Sequence, residues 1–111
     1  MVRGDIMSLT VEMKKEDSRL SLYIKGILDI STVHILDSHL EDLQNIDVLI
    51  IDFSGLEFID STGVGCIINA IYLCQGKKFR IVLQGIDKEI HHVFKTVGLY
   101  RVLETVQGDV I

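Results

Sequence analysis

Proline and tryptophan are absent from this 111-residue chain, and only two cysteines occur. With no proline, internal repeat or low-complexity stretch to serve as a linker, the chain reads as one domain over residues 1–111, large enough for one hydrophobic core. Cys66 and Cys74 fall eight residues apart on one predicted helix. At the helical rise their backbones lie about 12 Å apart, too far for a disulfide. They are expected to be reduced packing residues, as in a cytosolic setting. Positive charge is also scarce: 11 Lys and Arg against 16 Asp and Glu give a net charge of −5, with no basic cluster longer than a pair. That excludes the footprint required by nucleic acid or an anionic membrane surface. No apolar run approaches the ~20 residues of a membrane span, and the start MVRGDIM has neither a signal-peptide core nor a cleavage site. The expected location is the cytoplasm.

What is present is strongly periodic. Leu9, Val11 and Met13 alternate with polar residues, as do Leu20, Leu22 and Ile24 beyond the charged turn Lys15-Glu16-Asp17-Ser18. This predicts a hairpin over residues 8 to 25 with one buried face. Val33, Leu36, Leu40 and Leu43 recur at helical spacing behind Ser31, a good cap residue, and predict an amphipathic helix over 32–44. Val48-Leu49-Ile50-Ile51 is apolar on both faces and suits a central strand over 47–53. A helix from about Ser61 to Gln75, ended by Gly76, precedes an alternating strand of Phe79, Ile81 and Leu83. Asp87 is placed to cap a helix carrying Ile90, Val93, Phe94 and Val97 that Gly98 stops, and Val102 to Val106 reads as a short last strand. Residues 1–7 are then an extension or the start of the first strand, and 107–111 a tail. The order predicts an α/β domain: a mixed sheet of four to five strands, antiparallel at first and then joined by parallel crossovers, with three to four helices mainly on one face.

The stretch FIDSTGVG, residues 58 to 65, interrupts this apolar pattern with a hydroxyl step at a helix start. A helix cap, a catalytic nucleophile and a phosphate acceptor all suit that position. The hydrolase elbow fails, because Ile59 stands where a glycine two residues before Ser61 is needed. A dinucleotide fingerprint fails at Ile68, and no lysine follows as a phosphate loop requires. His34, His39, His91 and His92 have no metal-site spacing and read as solvated surface residues. The carboxylate pairs Asp52 with Glu57 and Asp29 with Asp60 lack any accompanying base or metal set, and loop carboxylates beside helix starts usually serve as caps. Nothing positive supports an enzyme, a cofactor or a metal. On a helical wheel Val64, Ile67, Ile68, Ile71 and Cys74 form a core stripe, while Cys66, Ala70 and Leu73 fall on nearly the opposite side. That second apolar face is expected to be exposed and to meet a partner, with Cys66 the more reactive thiol.

The segment VLIIDFSGLEFIDSTGVG, residues 48 to 65, resembles the central segment of the STAS domain, most closely that of bacterial anti-sigma-factor antagonists. Gly26-Ile27-Leu28-Asp29 sits where that family has a Gly-Glu-Leu-Asp turn, and Phe94 to Leu99 resembles the ending of its third helix. The resemblance implies a non-enzymatic, monomeric switch protein that binds an anti-sigma factor, itself a serine kinase of the histidine-kinase-like ATPase fold, and so frees a sigma factor. Phosphorylation of the serine after the motif's Asp, by position Ser61, ends the interaction, and a PP2C-type phosphatase restores it. Thr62 is the neighbouring hydroxyl. Asp29, Asp60, Ser61, Thr62, Gly63, Cys66 and Leu73 are the expected partner-binding residues. The alternative within the same fold is an accessory or scaffold subunit of a stress-sensing complex, a lipid-transport system or an anion transporter. Two departures stand out: Ile27 replaces the family's Glu, and the further C-terminal helix of many members is expected to be missing or reduced to a stub at 107–111.

Overall fold

The computed structural model describes residues 8–108, so the expected extension 1–7 and the tail residues 109–111 lie outside the described residues. The opening alternation folds as a hairpin, β1 (Leu9–Glu16) antiparallel to β2 (Arg19–Leu28), in register from Leu9 opposite Gly26 to Glu16 opposite Arg19. The turn is only Asp17-Ser18. Asp17 adopts a left-handed φ of 57°, which a short polar side chain tolerates.

Next, β2 pairs parallel with β3 (Val48–Ile59), and β3 pairs parallel with β4 (Arg80–Gln84), giving the order β1-β2-β3-β4. Parallel neighbours need crossovers. Here α1 (Val33–Leu40) and α2 (Ser61–Lys77) supply them, and α3 (Lys88–Thr96) and α4 (Leu99–Gln107) complete the chain. The core takes alternate residues from one sheet face, Leu20, Leu22 and Ile24 of β2, Leu49, Ile51 and Phe53 of β3, and Ile81 of β4. Leu36, Ile67, Ile71, Phe94, Leu99 and Leu103 of the helices pack into the same cluster. The opposite face is open: Tyr23, Lys25 and Ser54 are exposed, and Ile50 is its buried exception.

Five expectations are corrected. Val102 to Val106 is no strand but part of α4, where Leu99 and Leu103 are buried and Val102 and Val106 half-buried, the i, i+3, i+4, i+7 stripe of a helix. The C-terminal helix is therefore present, and Gly98, with φ 80°, is the corner between two helices. From α4, the Gln107 amide accepts from Ile81 N at 3.1 Å and donates to Ile81 O at 2.9 Å, so a side chain occupies the outer edge of β4. The first crossover helix ends at Leu40, and Leu43 and Ile46 enter the core from the loop after it, where Asn45 turns left-handed at φ 59°. β3 runs past Asp52 to Ile59, with register irregularities opposite Tyr23/Lys25 and Gly26/Ile27 that let the strand continue through Gly55. Finally, Gly76 lies within α2, which ends on Lys78 in the left-handed conformation.

Candidate functional site

At the end of β3 the chain passes into α2 through Asp60 and Ser61. Asp60 is the cap: its extended backbone and its Oδ1, accepting from Gly63 N at 2.8 Å, satisfy one of the unpaired amides of the first turn. The other oxygen, Oδ2, accepts from Ile30 N at 3.2 Å, and Asp60 N donates to Leu28 O at 3.3 Å, which fastens the end of β2 to the start of α2. Ser61 is thereby relieved of capping. It is the first helical residue, it is exposed, and its hydroxyl has no hydrogen-bond partner among the described residues. Thr62 beside it is half-buried, and Gly63 is buried. A Cβ at Gly63 would collide with the carbonyl oxygen of Leu28 and lie 2.7 Å from Ile59 Cγ1, so only glycine lets α2 start this close to β2. Gly63 is thus a packing residue, not a contact surface.

Asp29 occupies the same corner, after β2. Its Oδ1 accepts from Ser31 N at 3.0 Å and from Ser31 Oγ at 2.7 Å. Thr32 Oγ1 accepts from Asp29 N at 2.9 Å and donates to Ile27 O at 2.7 Å. The hydroxyl of Ser31, first, together with the amide of Ser31 and the groups of Thr32, outweighs the opposing effect of desolvation and holds the Asp29 carboxyl below its usual range. Thr32, not Ser31, is the residue before α1, and it makes no side-chain cap bond to the helix, because its hydroxyl is spent on this turn. Asp29 and Asp60 therefore share one corner, Asp60 bonded to the amide of Ile30 beside Asp29, and each carboxylate is engaged in backbone bonds. Asp52 and Glu57 do not form a comparable pair. Burial raises the Asp52 carboxyl, but hydrogen bonds from Ser54 and from Gln84 Nε2 at 2.9 Å leave it lowered. Among the described residues no group of three His, Cys, Asp or Glu is placed to hold a metal ion.

The second apolar face of α2 is not exposed. α1 lies against it: Cys66 and Ala70 are buried, Leu73 is half-buried, and Cys66 Sγ donates to Asp37 Oδ1 of α1 at 3.1 Å. The helix is buried on most sides because its two flanks meet α1 and α4, a sidedness the wheel alone does not carry. Burial, then the Asp37 hydrogen bond and charge, push the Cys66 thiol up to about 12, and burial pushes Cys74 up to about 11. Cys66 is therefore not the exposed thiol expected, and both cysteines are buried.

Exposed apolar side chains do exist, at the end of β3 and in the turn after β2 whose Ile30 amide is bonded to Asp60. Ile30 is 74% and Phe58 52% exposed, and Ile27, opposite Phe58 on the paired strand, is half-buried. Along α2 the exposed stripe is Ser61, Gly65, Asn69 and Tyr72. Sequence reasoning missed Phe58, Ile30 and Tyr72. Alternation alone carries no signal for Phe58, because Leu56 before it and Ile59 after it are both in the core and a register irregularity between Leu56 and Phe58 sets the parity. From Val48 to Cys74 there is no Lys, Arg or His, so Ser61 lies in a segment whose only charges are acidic.

Fold and site define a small α/β module that presents a solvent-facing hydroxyl at the start of its second crossover helix. The chain belongs to the STAS domain family, whose model matches residues 10–110. It is 27% identical over 108 residues to the anti-sigma-B factor antagonist of Listeria monocytogenes, covering 93% of this chain and 95% of that one. Among solved structures it is similar to Bacillus SpoIIAA, an anti-sigma factor antagonist. The phosphorylated form aligns with a TM-score of 0.68 at 20% identity over 81% of this chain and 85% of SpoIIAA, and the unphosphorylated form with a TM-score of 0.66 at 19% identity over 78% and 82%. A sulfate transporter family protein from Wolinella succinogenes shares the fold at a TM-score of 0.71 and 17% identity, over 78% of this chain and 71% of that one. Among the described residues no helix is long and apolar enough to cross a membrane.

Proposed function

We propose that this protein is an anti-sigma factor antagonist: a non-enzymatic binding protein that captures an anti-sigma factor of the serine-kinase type and is switched off when that kinase phosphorylates Ser61. The observation that carries the reading is the division of labour between Asp60, which caps α2, and Ser61, whose hydroxyl is left free at the helix start. Near-complete alignment with a named anti-sigma-B factor antagonist supports the general role.

Docking would use Ile30 and Phe58 beside Ser61 and the exposed stripe of α2, with Thr62 at its margin and Leu73 at its far end. Asp29 and Asp60 act as positioning residues, since their carboxylates hold the corner that presents the hydroxyl. In the transfer step Ser61 Oγ takes the γ-phosphoryl group of ATP bound to the kinase, losing its proton to a base there and releasing ADP. The phosphate adds about −1.5 to −2 charges. The amides and dipole at the start of α2 accommodate it without unfolding. The surrounding segment offers no cation to neutralise it, so the cost falls on the complex, where the charge must be desolvated against Phe58 and Ile30. A PP2C-type phosphatase would reverse the switch by hydrolysis.

Titration of the anti-sigma factor kinase with wild type, Ser61→Ala and Ser61→Asp tests the reading. Ser61→Ala binds like wild type and Ser61→Asp binds far more weakly. Equal binding by all three contradicts a switch at this residue.

A further inference from the structure

β1 is an edge strand eight residues long, and among the described residues no other strand pairs with its outer side. The two-residue turn Asp17-Ser18 makes the flanking residues Glu16 and Arg19 an exchanging hydrogen-bonded pair, and the alternation then runs back along the strand. The even-numbered residues of β1 bond to β2, as Ser8 O does in accepting from Ile27 N. Val11, Met13 and Lys15 therefore aim their N–H and C=O groups away from the sheet. Met13 is 59% exposed, and beside it a groove between the hairpin and α1 is lined by Leu20, Leu43 and Ile46.

We infer that this edge is a self-association surface: two copies pair their β1 strands antiparallel about a twofold axis at Met13, joining two four-stranded sheets into one. The register follows from charge. With Met13 facing Met13, an exchanging hydrogen-bonded pair sits on the axis, and Glu12 of each copy faces Lys14 of the other. Centring the pair one residue earlier would set Glu12 against Glu12, and one residue later Lys14 against Lys14. Lysines on an edge strand ordinarily repel an incoming strand. Here they favour this register of a second copy over the two beside it. The Lys14 contact with Glu16 of the same strand, 4.0 Å long and exposed at both ends, offers little competition. Each Met13 also covers apolar surface at the rim of the groove. A C2 contact of this kind is self-complementary by construction.

Sedimentation velocity of the whole chain across micromolar to millimolar concentration tests this, with thermal melts confirming that every variant folds. Wild type shifts from the 12.5 kDa monomer toward twice that mass. Met13→Pro abolishes the shift while keeping the fold, because the N–H it removes faces outward. Glu12→Lys and Lys14→Glu each lose self-association alone, and an equimolar mixture of the two regains it, since every facing pair is again opposite in charge. A monomer at every concentration overturns the inference. So does association that survives Met13→Pro, or single charge variants that associate like wild type. Loss of anti-sigma factor capture by Met13→Pro, with no self-association in wild type, would assign the edge to that partner instead.

Discussion

Asp60 and Ile30, thirty residues apart, are joined by a hydrogen bond from the Ile30 amide to Asp60 Oδ2 at 3.2 Å, while the other oxygen of the same carboxylate caps α2. One side chain thus fixes both the helix start and the corner bearing the exposed Ile30. Asp60→Ala should lower stability by about 1–2 kcal/mol, the usual cost of a lost cap. Asp60→Asn should recover part of it, because the amide oxygen can still serve Gly63. Urea titrations of the three proteins measure both steps, and an unchanged midpoint in Asp60→Ala would show that the cap carries no weight.

Ser61 is exempt from that duty. Ser61→Ala should change stability by less than about 0.5 kcal/mol, as expected of a surface substitution away from any cap. Ser61→Asp should be neutral or slightly stabilising at the start of α2. Matched melting curves check this, and a loss in Ser61→Ala comparable to Asp60→Ala would make Ser61 a structural residue.

Gly63→Ala should destabilise by roughly 1–3 kcal/mol or more, the range for overpacking a site that cannot yield. Its added methyl meets a backbone oxygen of Leu28, which cannot swing aside as a flexible side chain can. Chemical denaturation of the variant reads this directly.

Both thiols should resist a thiol reagent at pH 8 in the native protein and react together on unfolding. They are buried, and their pKa values are raised to about 12 for Cys66 and about 11 for Cys74. Rapid native labelling of Cys66 would mean that α1 does not cover α2 as described.

How much of this was legible from the chain depended on whether the deciding contact was local. The hairpin register follows from alternation at Leu9 to Ile24, and the Asp87 cap, accepting from Ile90 N at 2.8 Å, follows from residue type and spacing. The burial of Cys66 does not, because it depends on which flank of α2 receives α1, a tertiary choice. The fourth helix was misread because β-branched Val102, Thr105 and Val106 favour a strand on propensity, whereas the Leu99 and Leu103 spacing that decided the matter is helical. At the hydroxyl step, the choice of Asp60 over Ser61 as cap turns on where the chain leaves β3, and the two residues are equally good caps by type.

Acid should weaken the fold through Asp29 and Asp52. Both carboxyls lie below the ordinary value of 3.8 in the folded chain, so their stabilising effect is complete above that value. It is lost as pH falls through the lower folded values. The fold of Asp52→Asn should accordingly be less sensitive to pH below 3.8 than wild type. A denaturation series in that acid range compares the slopes, and identical slopes would mean that the Ser54 and Gln84 bonds do not bias the titration.

The central claim is that Ser61 is the hydroxyl that receives phosphate, and site mapping by mass spectrometry tests it most directly. The protein is incubated with the anti-sigma factor kinase and ATP, then digested and sequenced, with Ser61→Ala in parallel. One phosphoryl group on Ser61, and none anywhere in Ser61→Ala, is the predicted result. Phosphate on Thr62, or on neither residue while the two proteins remain in stable complex, would contradict it.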